Sequence, residues 1–420
     1  MSDAAGVGSQ DPSELPVGRR VAYWRVRRGM TQQMLADRLD RSKSWLDKVE
    51  RGVRRLDRVS VLHEIARVLE IPVDQLLRGA GDAERAGRGA GVGGVEGVRA
   101  ALARYTSIAA YLGAEVTPPD LAELGKAVNH AWLSFQHGGH DRLVRMLPAL
   151  LADAQAADGH HRGGEGAGRA AHLLGQVYQV ASSVLRKLGE GELAWFAADR
   201  AAAVSIRADD PLLVGLAASR AGNALLALDR PRAALEAQVT AANRLAPADA
   251  GEATPQRLSV YGSLLLQGAM AAAHLGDHSG VADLVREAGH VAAALGGDRN
   301  DYWTSFGPTN LRLHVVAASV ELGEAGDAIE AAEGLDPAGF GALVPERRAQ
   351  HLLDLARAHN LANRPDRAVA LLLAAERLAP AEVRHRPVAH AALRDAARRV
   401  RGKLPGPLAD LARRARIDPL

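Results

Sequence analysis

A short junction recurs at nearly even spacing along the second half of this chain of 420 residues. Four junctions have leucine, then Gly or Asp, then a charged residue: Leu188-Gly189-Glu190, Leu228-Asp229-Arg230, Leu275-Gly276-Asp277 and Leu322-Gly323-Glu324. Their leucines are separated by 40, 47 and 47 positions. Each junction stands between two Ala- and Leu-rich stretches, so each is predicted to end one helix and begin the next.

Two further segments extend this pattern. Asn363-Arg364-Pro365 repeats the Asp229-Arg230-Pro231 junction, and the segment 137–141, His-Gly-Gly-His-Asp, is a looser and earlier copy. The small residues Gly175, Gly222 and Gly268 suit tightly packed helices. The period exceeds the roughly 34 residues of a consensus tetratricopeptide repeat. We therefore expect a degenerate tetratricopeptide-like α-solenoid of five or six hairpins, stacked into one concave unit because no hairpin can bury its apolar face alone.

Composition supports an all-α chain. Hydrophobic residues make up 47% of it but aromatic residues only 4%, which favours closely packed Ala- and Leu-rich helices over β-sheet. The absence of cysteine excludes disulfides, thiolate metal sites and a cysteine nucleophile. Neither a secretory signal nor an apolar run of membrane-spanning length is present, so we expect a cytoplasmic protein without a membrane partner.

A second pattern lies near the N-terminus, from Thr31 to Gly52. Apolar residues at helical spacing predict two short helices packed on each other: Met34, Leu35, Leu39, Leu46 and Val49. Thr31 and Ser42 are placed to cap them, since each hydroxyl can accept from an unpaired amide of the first turn.

These residues resemble the DNA-binding domain of the xenobiotic-response-element and lambdoid-repressor family, over about residues 18 to 77. The matching motifs are Thr31-Gln32, Leu35-Ala36, the run SKSWLDKVERG from 42 to 52, and IPVDQLL from 71 to 77. Asp40 departs from the family, which usually has glycine in that turn. The resemblance implies a five-helix helix-turn-helix domain in which Lys43, Ser44 and Lys48 contact bases, while Gln32 and Arg51 contact phosphates.

Charge agrees with a DNA partner. Residues 15–78 hold fifteen Lys or Arg and eight Asp or Glu, whereas the whole chain has a net charge of only +3. Such a local excess suits phosphate binding. In the loop after the second helix of the motif, Arg54 and Arg55, with Arg58 beside them, are predicted to reach the DNA backbone.

The predicted domain boundaries follow from these patterns. Residues 1–14 form a disordered lead-in, 15–78 the helix-turn-helix domain, 79–97 a flexible Gly-rich linker, and 98–420 the repeat domain. A helix from Val98 to Leu112 is expected to open that last domain, because large apolar residues return there after the linker.

Candidate effector-binding residues recur in the first helices of the repeats. Arg220, Gln267 and His314 each stand nine positions before the second residue of a junction, where a purely structural helix would accept alanine. The other candidates are Gln176, Asn223, Trp303 and Asn310. In a concave groove such side chains could hold a peptide backbone or a polar small molecule. The alternative is that they bond between helices or face solvent.

An enzyme is not expected, and neither is a cofactor or a metal. His63-Glu64 lacks the second histidine of a zinc-protease motif, and His137, His140, His160 and His161 lack ligands at a diagnostic spacing. The architecture resembles regulators that join a repressor-type head to a tetratricopeptide-like sensor, including peptide-pheromone receptors. This resemblance implies a homodimer that binds a pseudo-palindromic operator on double-stranded DNA and responds to a peptide or small molecule. The alternative is a DNA-binding scaffold or antitoxin whose repeats bind a protein.

Overall fold

The computed structural model describes residues 17–39, 41–52, 59–69, 71, 92–104, 118–400 and 404–417. Throughout these ranges the regular structure is helical and no strand occurs, which confirms the predicted all-α class. The chain divides at Val92 into two compact units, called here the N-terminal and C-terminal units. None of the described helices is long and apolar enough to cross a membrane.

Four helices form the described part of the N-terminal unit: α1 (Val17–Arg27), α2 (Gln32–Arg38), α3 (Lys43–Glu50) and α4 (Val59–Val68). Both predicted caps are confirmed. The hydroxyl oxygen of Thr31 accepts from the amide of Met34 at 3.1 Å, and that of Ser42 accepts from the amide of Trp45 at 3.1 Å. Asp40 and the predicted fifth helix lie outside the described residues.

The helices of the N-terminal unit pack around a small apolar core. Its fully buried members are Val21, Leu35, Ala36, Leu39, Leu46, Ile65, Ala66 and Leu69. Met34 was predicted to face this core, and that prediction is wrong, because its exposed fraction is 44%. The buried face of α2 is formed by Leu35 and Ala36, and Met34 lies about 200° around the helix from Ala36, so it faces away from the core.

The C-terminal unit is a helical-repeat array. Its helices are α5 (Val92–Leu102), α6 (Leu121–Gln136), α7 (His140–His161), α8 (Ala167–Lys187), α9 (Gly191–Ser205), α10 (Pro211–Ala227), α11 (Pro231–Leu245), α12 (Pro255–His274), α13 (His278–Leu295), α14 (Pro308–Glu321), α15 (Ala325–Glu333), α16 (Pro337–Ala342), α17 (Pro345–Leu361), α18 (Pro365–Leu378), α19 (Pro380–Arg384), α20 (Pro387–Arg399) and α21 (Gly406–Arg414). The pairs α6/α7, α8/α9, α10/α11, α12/α13, α14/α15 and α17/α18 are hairpins at the predicted junctions.

All six junctions share one backbone geometry. The residue in the left-handed conformation, with φ between 56° and 82°, is in chain order Gly138, Gly189, Asp229, Gly276, Gly323 and Asn363. The next residue donates its amide to the carbonyl five positions back at 2.8 to 3.0 Å, as in a Schellman motif. Since Gly, Asn and Asp tolerate positive φ best, local sequence sets each helix end.

The start of the C-terminal unit differs from the prediction. Helix α5 begins at Val92, so the last six residues assigned to the flexible linker are helical. It ends at Leu102 instead of continuing to Leu112, and residues 105–117 lie outside the described ranges. Buried Val95 and Val98 join the core of the first hairpins, and this packing overrides the weak helix propensity of the three glycines in α5.

The array curves so that its first hairpin contacts both the segment before the fifth hairpin and the first helix of the sixth. The ring of Trp132 on α6 stacks on Trp303, which precedes α14, with centroids 6.0 Å apart. Gln136 on α6 exchanges two amide hydrogen bonds with Asn300, at 2.9 and 3.0 Å. Helix α6 also packs on α17. The first helices of the hairpins thereby face one another around a common interior.

Candidate DNA-reading helix and effector groove

Helix α3 presents a polar face and buries an apolar one. Leu46 and Val49 are buried, whereas Lys43, Ser44 and Lys48, the predicted base-contacting residues, are exposed. A helix with two exposed lysines and a hydroxyl on one side has the dimensions and the donors needed to enter a DNA major groove.

The buried carboxylate of Glu50 holds α3 against the two preceding helices. One of its oxygens accepts from Nε of Arg25 at 2.6 Å, and the other accepts from Nε2 of Gln32 at 2.8 Å. Gln32, predicted to contact phosphate, therefore also has a structural role that fixes α2 relative to α3.

The remaining predicted backbone contacts have different surroundings. Arg51 is exposed and lies 3.6 Å from the carboxylate of Asp47, an ion pair weak enough to yield to a phosphate. Arg54 and Arg55 lie outside the described residues, as does Arg58. Trp45 is partly buried against the core of the N-terminal unit, with the guanidinium of Arg41 5.9 Å from its ring centre.

The interior of the C-terminal unit contains an open groove with a cavity volume of about 520 Å³. Side chains of α8, α10, α12, α14 and α17 line it, together with the start of α20. That volume is in the range of small-ligand sites. The predicted candidates Asn223, Gln267, Asn310 and His314 all lie on its walls.

A small side recess of about 40 Å³ continues from the groove. It shares with the groove the five residues Arg186, Asn223, Gln267, Glu346 and Arg347. Two more candidates, Arg220 and Trp303, line the recess alone. Gln176 lines neither space, but its side-chain oxygen lies 3.4 Å from the indole nitrogen of Trp303. The structure thus brings six of the seven candidates to one continuous space.

Some of these candidates also form hydrogen bonds between helices, which is the alternative role considered for them from the sequence. Nε2 of Gln267 lies 3.2 Å from Nε2 of His314, and Nδ1 of that histidine lies 2.9 Å from the carbonyl oxygen of Asn310. Burial and the nearby Arg347 lower the pKa of His314 to about 4, so its ring is neutral at pH 7. The side-chain oxygen of Asn310 is buried with no hydrogen-bond partner in the described structure.

A buried ionic cluster forms part of the groove floor. The ammonium group of Lys187, at the end of α8, contacts Glu346 at the start of α17 and lies 2.5 Å from Glu382 on α19. Glu382 also contacts Arg386 at 2.6 Å and Nε2 of His140 at 3.1 Å. Burial lowers the pKa of Lys187 to about 8, despite both carboxylates.

Sequence reasoning missed this cluster. Lys187 follows Arg186 in the last turn of α8, a position where basic residues commonly favour the helix dipole and face solvent. Glu346 lies 159 residues away and Glu382 195 residues away. No periodic pattern connects them. The available signal was weak: these charged residues lie beside helix ends in otherwise Ala- and Leu-rich segments.

The cationic groups around the recess outnumber the acidic ones. Arg186, Arg220 and Arg347 line it against one carboxylate, Glu346. Nε of Arg347 lies 3.0 Å from that carboxylate. Burial lowers the pKa of Arg186 and of Arg220 to about 10, and neighbouring arginines add to both shifts. Both of these guanidinium groups stay charged at pH 7, and Glu346 is the one acidic side chain that lines the recess with them.

The described residues contain no cluster of three or more His, Asp or Glu arranged to hold a metal ion. Of the four histidines considered in the sequence, His140 contacts Glu382 and the rings of His160 and His161 pack edge to face, with centroids 5.0 Å apart.

Comparison with known proteins places the first unit in a recognised class. Residues 16–78 match the family described as "Helix-turn-helix domain", so the N-terminal unit contains a helix-turn-helix domain. The match covers less than half of the chain. A search of curated protein sequences gave no match.

One solved structure shows a remote similarity. It is PlcR of Bacillus thuringiensis, in complex with the peptide PapR7 and DNA, with 13% sequence identity and a TM-score of 0.29. The similarity covers 67% of this chain and 95% of that one. A likeness at this level does not establish a shared fold or ligand.

Proposed function

We propose that this chain is a sequence-specific DNA-binding transcription regulator whose activity is modulated by an effector in the groove of its C-terminal unit. The observation that carries the first half is the helix-turn-helix domain, in which α3 exposes Lys43, Ser44 and Lys48. These side chains would contact base edges, and Arg51, Arg54 and Arg55 would contact phosphates together with Gln32.

Binding as a homodimer to a pseudo-palindromic operator is part of the proposal. Two such domains read half-sites one helical turn apart, about 34 Å, when a two-fold axis relates them. A single short helix contacts few bases, so a second copy supplies the specificity that a genomic site requires.

The groove supports an effector of modest size. Its cavity volume of about 520 Å³ suits a short peptide or a small molecule better than a folded protein. The amide side chains of Asn223, Gln267 and Asn310 on its walls can donate to and accept from a peptide backbone. This favours an effector-controlled regulator over a scaffold that binds a protein partner.

Genome-wide chromatin immunoprecipitation tests the DNA-reading role. The comparison is between the wild type, Lys43→Ala/Lys48→Ala, and the matched control Lys126→Ala, whose lysine is exposed on α6. We expect discrete peaks with a two-fold motif for the wild type and the control, and their loss in the double variant. Peaks that persist unchanged in the double variant would refute the assignment of α3.

A further inference from the structure

The side recess of the groove carries a concentration of positive charge that the protein does not neutralise itself. Arg186 and Arg220 are each partly buried, and neither forms an ion pair with a carboxylate in the described part of the chain. Nε of Arg220 is buried and has no hydrogen-bond partner among the described residues. A partly desolvated charge without an ion-pair partner is costly, so this arrangement favours the entry of an anion.

The carboxylates near the recess are already committed. Glu346 contacts Lys187 and Arg347, and Glu382 contacts Lys187 and Arg386. These two carboxylates contact three cations between them, so Arg186 and Arg220 add positive charge that no ion pair among the described residues neutralises. The charge excess therefore belongs to the recess itself.

The guanidinium of Arg220 is held in place from one side. It lies over the ring of Trp132 at 5.4 Å from the centroid, and that ring is stacked on Trp303. A side chain oriented by an aromatic face loses little freedom when it binds a ligand. The hydroxyl of Ser182 and the amide of Asn223 also line the recess and supply neutral donors. The hydroxyl of Ser183 lines it too, but already donates to the carbonyl oxygen of Gln179 at 2.8 Å.

We propose that the recess is a binding site for a compact oxyanion, a carboxylate or a phosphate, carried at one end of the effector. Planar guanidinium groups bind both kinds of oxyanion through paired hydrogen bonds. The recess of about 40 Å³ holds the anionic group alone, and the rest of the molecule lies in the adjoining groove. This inference rests on the proposed effector-binding role of the groove.

Thermal unfolding of the full chain tests the site with defined probes at constant ionic strength. The probes are inorganic phosphate, N-acetyl-trialanine with a free carboxylate, and the same peptide as its C-terminal amide. Sodium chloride serves as the ionic control. We expect a saturable rise in Tm with phosphate, with the free acid or with both, and none with the amide. A rise in Tm with phosphate alone would identify the anionic group of the effector as a phosphate. A rise with the free acid alone would identify it as a carboxylate.

Variants connect the response to the recess. Arg220→Gln and Arg186→Gln should each weaken the binding of the responding probe at least tenfold. Arg220→Lys should retain part of the rise in Tm. The matched control Arg232→Gln, at an exposed position of α11, should behave as the wild type. Two separate positions are used because Arg220 also packs on Trp132. Equal responses to acid and amide, or an unchanged response in both glutamine variants, would overturn the proposal.

Operator binding separates this inference from the proposed function. A wild type that binds its operator but responds to neither phosphate nor the free acid would overturn the recess site and leave DNA reading intact. Anions that raise the Tm through Arg220 without changing operator affinity would support the recess site and would contradict control of DNA binding through the groove.

Discussion

Replacing Lys187 with methionine should destabilise the C-terminal unit strongly. The lysine is 2% exposed and lies between Glu346 and Glu382, which belong to the closing end of the array. Methionine fills nearly the same space, so the change removes the charge with little loss of packing. Breaking a buried ion pair by removing one partner costs about 3 to 5 kcal/mol, because the other charge remains buried.

The lower end of that range applies here. Glu346 keeps a contact to Arg347 at 3.0 Å, and Glu382 keeps Arg386 at 2.6 Å. We therefore expect a loss of about 3 kcal/mol in the free energy of unfolding. Adding Glu382→Gln to Lys187→Met should restore part of this loss, since the double variant removes one of the uncompensated carboxylates.

Urea denaturation of the full chain, followed by circular dichroism, measures the effect. The matched control is Lys126→Met, which removes a lysine on α6 from an exposed ion pair with Glu123 at 2.7 Å. A surface pair of that kind contributes at most about 1 kcal/mol. A loss below about 1 kcal/mol for Lys187→Met, or one equal to that of the control, would refute the conclusion that this buried cluster stabilises the C-terminal unit.

Two further predictions concern packing and pH. At Gly262 an added Cβ would lie 2.0 Å from the ring of buried Phe306, so Gly262→Ala should lower the free energy of unfolding by about 1 to 3 kcal/mol. The control is Gly326→Ala, which has no atom near its added Cβ and should be neutral or stabilising. Thermal unfolding of the full chain measures both variants. Burial lowers the pKa of both His314 and His351 from 6.5 to about 4. Between pH 6.5 and 4 the folded chain therefore binds fewer protons than the unfolded chain. The free energy of unfolding should fall as the pH drops through this range. A urea midpoint for His314→Asn/His351→Asn that falls as steeply as that of the wild type would contradict this assignment.

The junctions show how much of the fold is local. Six helix ends were predicted from short patterns, and each has a Gly, Asn or Asp in the left-handed conformation there. The caps at Thr31 and Ser42 could also be predicted from local sequence, since each hydroxyl accepts from an amide three positions away. Local patterns failed where packing outweighed propensity, as in α5, which is helical despite its glycines.

The candidate site likewise contains some residues that local sequence predicts and others that depend on long-range packing. Its polar positions on the first helices, Arg220, Gln267 and His314, were found because they recur at a fixed offset from the junctions. The recess and the cluster around Lys187 could not be found in this way, because their partners come from helices that meet only when the array closes. The sequence by itself determined where the six hairpin junctions lie, since those depend on neighbours a few positions apart. Only the tertiary structure decided which charges form ion pairs and which do not, because that depends on side chains as far apart in the chain as His140 and Glu382.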